Sequence, residues 1–282
     1  MRTLRKIALI LVVVGLVLCA AAAIDSGFDL DLLSFGEERT FFSRDYDASM
    51  VHSVSLTFDV DSIAVAPSED GNVHLSWYSR NPQKDDLSVA DGILSLNATR
   101  KSLISLNIRN YDAVLSLPAN FDGELRVSTS TASISVSDLK PNRLALEATT
   151  GSIRLSNLNV AESITAETST GSVYMTNVAS AEIARRGSTG SAKLTDVSAN
   201  ALNARVTTGS IALDAVDAQS LTLRATTGSI SGTLAGRMAD YTIRSSVSTG
   251  SNSLPEALDG GARTLNADTT TGSIRLSFAD AK

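Results

Sequence analysis

The sequence is poor in several residue types on which common classes of protein depend. Its 282 residues include one cysteine, two histidines, one tryptophan and five prolines, and aromatic residues make up only 5% of the chain. The single thiol, Cys19, has no partner for a disulfide and no second cysteine for a structural zinc site. Hydrophobic residues still make up 43% of the chain, so a core can form, but it must be built from aliphatic side chains rather than rings.

Basic residues are scarce beyond the first few positions. The formal net charge is −6, from 24 Lys and Arg and 30 Asp and Glu. Three of the basic residues, Arg2, Arg5 and Lys6, precede the first acidic residue, Asp25, which leaves 21 basic against 30 acidic residues and a net charge of −9 for the rest. Binding to nucleic acid needs clustered Lys and Arg to neutralise phosphates. We therefore expect no nucleic-acid partner.

Motifs of enzymes and cofactor-binding proteins are also missing. Neither His52 nor His74 has a neighbour at the spacing of a metal site or a catalytic triad. The sequence contains no phosphate-binding loop, no Gly-x-Ser-x-Gly and no dinucleotide fingerprint. We expect no catalytic residue, no cofactor and no metal ligand, and we assign both histidines to the surface or to packing between strands.

One long apolar run begins the chain. Residues 7–24 are uncharged and mostly apolar, and a membrane-spanning helix needs about 20 such residues, with a lower limit near 17. We predict a membrane anchor within residues 1–24, with the basic tip in the cytoplasm and the C-terminal domain outside a cell membrane that the chain crosses once. The alternative is a signal peptide cleaved near the small residues Ala20–Ala23, which would give a secreted protein.

The next two segments lead up to a repeat. Residues 25–44 are expected to form a juxtamembrane spacer, and residues 45–129 a β region that caps or starts the repetitive part. In the β region, Val54, Leu56 and Phe58 alternate with polar residues, which is typical of a half-buried strand. No stretch after the first apolar run shows convincing helical spacing.

A sevenfold Thr-Gly-Ser repeat dominates residues 130–282. The glycines lie 20, 19, 19, 19, 22 and 22 residues apart. They are Gly151, Gly171, Gly190, Gly209, Gly228, Gly250 and Gly272. A period near 20 is typical of stacked repeat folds. We therefore predict an all-β chain, a single parallel β-helix or β-solenoid with 19–22 residues per coil, preceded by one N-terminal transmembrane helix.

Aligning the glycines places each Thr-Gly-Ser at a corner of a coil. Glycine tolerates the backbone conformation of such a corner, and the Thr and Ser hydroxyls can bond turn backbone groups. Ile153, Val173 and Ile211 then point inward and stack about 4.8 Å apart. Arg185 also falls on an inward position, so either the coil bulges there or the side chain reaches past a gap. The bulge is the favoured interpretation.

Two further columns each have a structural and a functional interpretation. The corner hydroxyls satisfy turn backbone groups, or they form a lattice that binds sugar or ice. At the position six residues after the corner, four coils carry an acidic or amide side chain: Asp138, Asn157, Asn177 and Asp196. These residues suit left-handed turns, or they line the acidic face of a polysaccharide-cleaving enzyme. We favour the structural interpretation of both columns.

A third column carries charge. The outward position just before the corner holds Glu147, Glu167, Arg186, Arg205 and Arg224. Three arginines on adjacent coils would lie about 4.8 Å apart, which is unfavourable unless an anion or a neighbouring carboxylate relieves the repulsion. The functional hypothesis is a binding stripe for an anionic envelope polymer or a lipid headgroup. The structural alternative is a solvated row that is partly paired with nearby acids.

The chain resembles the bacterial toastrack ("putative adhesin") β-solenoid family of cell-envelope proteins. The resemblance is carried by IAVAPSEDGNV (Ile63 to Val73), followed by the Thr-Gly-Ser-Ile corners, and it covers nearly the whole chain after the anchor. It implies a single β-solenoid presented outside the membrane, often tethered by an N-terminal helix, and a family association with envelope stress. It implies no catalytic residues.

These observations predict a non-enzymatic, membrane-tethered β-solenoid that presents a binding surface to envelope ligands or to a membrane-protein partner. The first alternative is a scaffold that self-associates end to end, because the final TTGSIRLSFADAK would leave an incomplete coil with an open edge. The second alternative is a carbohydrate-active β-helix enzyme, which requires a cluster of carboxylates in a groove.

Overall fold

The computed structural model describes residues 33–35, 39–79, 85–99, 104–106 and 112–279. The anchor predicted at residues 7–24 lies outside the described residues. In the part of the chain that is described, no helix is long and apolar enough to cross a membrane. Two single turns of 3-10 helix, Ala48–Met50 and Met238–Asp240, accompany an otherwise all-β structure.

The strands fall into an N-terminal set and a repetitive set. The N-terminal strands are Leu33–Phe35 (β1), Thr40–Tyr46 (β2), Ser53–Phe58 (β3), Ser62–Pro67 (β4), Val73–Ser79 (β5), Asp86–Ala90 (β6), Ile93–Ala98 (β7), Ile104–Leu106 (β8) and Asp112–Leu117 (β9). The repetitive strands are Glu124–Thr131 (β10), Ile134–Ser137 (β11), Arg143–Thr150 (β12), Ile153–Thr170 (β13), Val173–Thr189 (β14), Ala192–Thr208 (β15), Ile211–Thr227 (β16), Ile230–Ala235 (β17), Tyr241–Thr249 (β18), Ala257–Leu258 (β19), Arg263–Thr271 (β20) and Ile274–Ala279 (β21).

The chain divides into two units. One comprises Met1–Glu38 and Arg100–Arg109, and its described strands β1 and β8 pair in parallel. The other comprises Arg39–Thr99 and Asn110–Lys282 and contains the remaining 19 strands in one open sheet. Regular β structure in this second unit begins at β2, five residues before the position expected from sequence.

Parallel coils stacked in register form the repetitive part, consistent with a β-solenoid. Ile153 pairs with Val173, Val173 with Ala192, and Ala192 with Ile211. All of these inward side chains are fully buried. The aliphatic column predicted from the sequence is therefore present, and a continuous core of Val, Ile, Leu and Ala runs through the stack.

Close approach between coils explains the glycine at each corner. Gly209 has φ of 140°, a left-handed conformation that side chains rarely adopt. A Cβ added there would lie 2.3 Å from the carbonyl oxygen of Gly190 in the preceding coil. The serine after the glycine also acts structurally, because Ser191 Oγ accepts a hydrogen bond of 3.2 Å from the Ser210 amide. The corner residues thus bond coil to coil, as the structural interpretation expected.

Coil order at the C-terminal end of the stack departs from chain order. The last coil, β20 and β21, lies between two earlier segments, because β20 pairs with β16 on one side and with β18 on the other. β21 pairs with β17, and its residue Ile274 also bridges Asn252. The final TTGSIRLSFADAK, on which an open edge was predicted, contains β21, and apart from its pairing with β17 the described residues give this strand one bridge, at Ile274. The outer strand β18 is partly covered by the short antiparallel β19.

A similar inversion occurs at the other end of the stack. β3 and β4 form one coil, and the later strands β7 and β9 pair with them on the outer side. The chain then crosses to the inner side, where β10 and β11 pair with β3 and β4. Antiparallel strands finish this end, with β6 on β7 and β2 on β5. The residues expected to cap or start the solenoid do both.

A second ladder links the turns that lie six residues after the corners. Asp138, Asn157, Asn177 and Asp196 all have φ between 51° and 59°, which Asn and Asp tolerate better than other side chains. The Asn157 amide donates to Asp138 at 2.9 Å, and the Asn177 amide donates to Asn157 at 3.0 Å. This geometry supports the turn interpretation of the column. The next coil has Ala215 in the same conformation, with φ of 52°.

Replacement of Ala215 by Asn is expected to raise stability. The left-handed conformation costs a non-glycine residue about 1–2 kcal/mol, and an asparagine amide at this position is placed to continue the ladder towards Asp196. We expect an increase in the free energy of unfolding of about 0.5–1.5 kcal/mol, measured as a higher melting temperature. Ala212→Asn, on a regular strand of the same coil, is the control. Equal effects of the two changes would contradict the prediction.

Candidate functional site

The candidate site lies on the outward face of the strand segments that lead into the corners. A column of charged side chains runs across this face in register, one residue per coil. In the order of the stack the column reads Glu147, Glu167, Arg186, Arg205, Arg224 and Asp268. The structure thus brings the three arginines named from sequence onto adjacent coils, about 4.8 Å apart as parallel strands impose.

Among the described residues, ion pairs form at the outer two arginines of the column. Arg186 lies 3.4 Å from Glu167, and Arg224 lies 3.2 Å from Asp268. Arg205, between them, makes no ion pair among the residues that the structure describes. The carboxylates relieve part of the repulsion that the sequence led us to expect. The guanidinium of Arg205 remains between two like charges, so it has most to gain from a bound anion.

Sequence reasoning missed Asp268 as the neighbour of Arg224. Counting coils in chain order places Ser246 next in the column, because Ser246 precedes Gly250 by the same four residues. The inverted order of the last coils puts Asp268 there instead and Ser246 one coil further on. The sequence does place Asp268 in this column, because Asp268 precedes Gly272 by four residues. To predict that it neighbours Arg224, the order of the coils in the stack has to be known as well.

An open groove of about 460 Å³ runs along the charged column. One wall consists of the three arginines together with Glu147 and Glu167. The other wall is a column of hydroxyls two residues further along each strand, formed by Ser169, Ser188, Thr207 and Thr226. We call this feature the arginine groove. It offers forked guanidinium donors on one side and small hydroxyl groups on the other.

Arg185 lies under the floor of the arginine groove, and the bulge predicted for it is absent. It is fully buried and in register with Ala166 and Ala204. The irregularity in β13 lies instead between Val160 and Ser163, where the coil takes up the residue that makes the first glycine spacing 20 rather than 19. The small residues above and below Arg185 leave room for its side chain inside the stack.

The Arg185 guanidinium bonds backbone carbonyls in place of a carboxylate. It donates to the carbonyl of Arg205 at 2.8 Å and to those of Gly190 and Ser191 at 3.4 Å. Its Nε finds no hydrogen-bond partner. Burial lowers the pKa of Arg185 to about 10, so the side chain stays charged at neutral pH.

Gly187, on the groove floor, is required by Arg185. A Cβ at this position would lie 2.6–2.7 Å from the guanidinium. In the preceding coil the equivalent residue is Thr168, whose hydroxyl donates to the carbonyl of the corner residue Gly171 at 3.0 Å. Arg185 thus donates a hydrogen bond to the corner carbonyl of Gly190, as Thr168 does to that of Gly171 one coil earlier. It also adds a positive charge beneath the groove.

The two histidines lie away from this groove. His74 bridges two carboxylates, with Nδ1 2.7 Å from Asp45 and Nε2 2.8 Å from Asp70. The contacts with Asp45 and then Asp70 raise the pKa of His74, and the contacts with His74 and Asn72 hold the pKa of Asp70 well below its usual range. The cluster ties β2 to β5 and to the turn before it. Across the described part of the chain, no group of three or more His, Cys, Asp and Glu could hold a metal ion.

A family model and several solved structures are similar to this chain. A family model described as Toastrack DUF4097 matches residues 51–274. A solved structure from Bacteroides fragilis, described as a "putative adhesin", is 15% identical, with 85% of this chain and 98% of that chain covered and a TM-score of 0.49. A "putative adhesin" from Parabacteroides distasonis is 11% identical, with 84% and 97% covered and a TM-score of 0.46.

A third similar structure, also from Parabacteroides distasonis, is described as a "putative lipid binding protein". It is 14% identical, with 84% of this chain and 97% of that chain covered and a TM-score of 0.45. No curated protein matches the chain.

A double substitution tests the role of Arg185. Arg185→Ala leaves a cavity and removes donors from three carbonyls, so we expect a loss of about 2–4 kcal/mol in the free energy of unfolding. Gly187→Thr alone is expected to destabilise through collision with the guanidinium. The two changes together copy the preceding coil, with its Ala166 and Thr168, and are expected to recover at least half of the loss. Denaturation midpoints that fall by the sum of the two single losses would refute this account.

The His74 cluster predicts a pH dependence of stability. Because the pKa of His74 is raised by folding, its contribution is fully present below the unfolded value of about 6.5 and is lost as the pH rises through the higher folded value. We expect His74→Gln to lower the melting temperature more at about pH 5.5 than at about pH 8.5. His52→Gln, which removes the other histidine, is the control. If His74→Gln lowers the melting temperature by the same amount at both pH values, the ion pairs of His74 do not contribute to stability as described.

Proposed function

The chain belongs to the Toastrack DUF4097 family, and on that premise we propose that it is a non-enzymatic, membrane-tethered module that presents the arginine groove to anionic ligands of the cell envelope. The resemblance seen in the sequence is thereby confirmed. In this proposal residues 7–24 anchor the chain in the cell membrane and the solenoid lies on the extracytoplasmic side. Cleavage of the same segment as a signal peptide would leave an identical groove on a secreted protein.

The observation that carries the proposal is the position of Arg205. Arg205 lies between Arg186 and Arg224 in the column, it lines an open groove, and no ion pair is found for it within the described residues. A bound anion would accept charge-assisted hydrogen bonds, which are roughly twice as strong as neutral ones. It would also relieve repulsion between like charges. The rest of the body is acidic, so the groove is a local exception to the overall charge.

The described residues support the two alternatives less directly. End-to-end assembly would use the edge of β21 that faces away from β17, on which the described residues show one bridge, from Ile274 to Asn252. A carbohydrate-active enzyme needs acidic groups free to act on a substrate. In the groove, Glu167 is paired with Arg186, and Asp138 belongs to the turn ladder.

Substitution of the groove arginines tests the proposal. We expect the full-length protein, held in phosphatidylcholine nanodiscs, to bind soluble glycerol phosphate polymer and short-chain phosphatidylglycerol in a salt-dependent manner. The double variant Arg205→Ala/Arg224→Ala should weaken binding about tenfold, because each charge-assisted bond contributes about 1.5–3 kcal/mol before the discount for exposure. Equilibrium titration by thermophoresis measures the change.

The matched control is Arg143→Ala. Arg143 is equally exposed on the same set of strands and pairs with Glu162 at 2.6 Å, but it does not line the groove. It is expected to leave affinity within about twofold of the parent. An equal loss in the control would reduce the binding to general charge attraction, and an unchanged affinity in the double variant would remove the groove from the proposal.

A further inference from the structure

The charged column limits the size of the anion that can bind. Acidic residues bound the three arginines on both sides, with Glu167 and Glu147 on successive coils at one end and Asp268 at the other. The arginine rungs span only about 10 Å along the stack. A long polyanion that followed this axis would bring charged groups against carboxylates within one coil of either end. The column therefore opposes an extended ligand and favours a compact one.

Across the strands, unlike along the stack, the groove changes from charged arginines to neutral hydroxyl groups. Arg186 and Ser188 lie on one coil, and Arg205 and Thr207 lie on the next, with each pair separated by about 6.5 Å along its strand. A ligand that lies across the strands can place its charge against guanidinium groups and a hydroxylated body against Ser188 and Thr207. Both walls belong to the same groove, and its volume of about 460 Å³ is that of a small-molecule site.

A buried arginine side chain lies beneath the part of the groove between Arg186 and Thr207. Arg185 is fully buried, its Nε has no partner, and its guanidinium lies directly under Gly187 on the groove floor. Because charges interact more strongly where water is excluded, Arg185 adds a fixed positive potential, and within the described ranges no carboxylate forms an ion pair with it. It also holds the carbonyl of Arg205, so the backbone that carries the central arginine is fixed before a ligand arrives.

We propose that the arginine groove binds a single phosphate group carried on a small hydroxylated body, glycerol or a sugar, oriented across the strands. The phosphate lies between the guanidinium groups of Arg186 and Arg205, and the hydroxyls face Ser188 and Thr207. This inference rests on the proposed function and narrows it from anionic ligands in general. The phosphate can belong to a lipid headgroup or to a soluble sugar or glycerol phosphate.

Three probes separate these possibilities on the full-length protein in phosphatidylcholine nanodiscs. They are glycerol 1-phosphate, short-chain phosphatidylglycerol, and a linear polyphosphate much longer than the groove. We expect glycerol 1-phosphate to bind more tightly per phosphate than the polyphosphate does. Arg205→Ala should weaken glycerol 1-phosphate binding about tenfold, since it removes a forked partner of the anion. Tighter binding of the lipid than of glycerol 1-phosphate would assign the site to headgroups, and the reverse would assign it to soluble phosphates.

The acidic ends provide the decisive variant. Glu167→Gln/Asp268→Asn removes the two carboxylates directly next to the three arginines in the column and leaves every groove arginine in place. We expect polyphosphate affinity to rise about tenfold and glycerol 1-phosphate affinity to change by less than about threefold. Glu162→Gln, which removes a carboxylate outside the groove, is the matched control, and we expect it to change neither the polyphosphate nor the glycerol 1-phosphate affinity.

The outcomes distinguish this inference from the proposed function. If polyphosphate already binds more tightly per phosphate than glycerol 1-phosphate and the two carboxylates next to the arginines do not matter, the compact ligand is refuted while anion binding stands. If no probe binds, or if Arg205→Ala changes nothing, the proposed function fails together with the inference. A loss of about threefold in Arg185→Ala/Gly187→Thr, with the fold retained, would support the contribution of the buried charge.

Discussion

In-register contact between successive coils is the constraint on which the rest of the structure depends. At each corner the backbone of one coil lies against a carbonyl of the coil before it, so closely that a Cβ at Gly209 would meet the oxygen of Gly190 at 2.3 Å. Once the corners coincide, every other position in the coil must coincide as well. The aliphatic core, the asparagine turns and the charged column are therefore consequences of the same spacing.

Register also makes the chemistry of the surface a property of neighbouring coils rather than of neighbouring residues. Arg224 meets Asp268 although 44 residues separate them in the chain, because the strands that carry them are adjacent. Arg205 remains unpaired among the described residues because like charges occupy the coils on either side. The buried Arg185 shows the same principle in the interior, where Ala166, Ala204 and Gly187 each give up volume to accommodate it.

Much of the fold could be predicted from the sequence, because local patterns report the position of a residue within its coil. The Thr-Gly-Ser corners, the inward column through Ile153 and Val173 and the turn residues such as Asn157 were placed correctly. Coil order could not be predicted in the same way, since nothing local marks which coil comes next. Asp268 was missed for that reason. The bulge predicted at Arg185 was wrong. The buried guanidinium is stabilised by backbone carbonyls and by the space at Gly187, and neither can be read from the residue type of Arg185 alone.

The inversion of the last two coils has a consequence for synthesis. β18 is synthesised before β20, which separates it from β16 in the finished stack. Until β20 is made, β18 either stays unpaired with β16 or pairs with it and later separates. β20, which is made after both, then inserts between them. A chain that ends before residue 263 lacks the strand that pairs with residues 220–227 of β16, and the backbone edge of those residues is then open to pairing with another extended polypeptide.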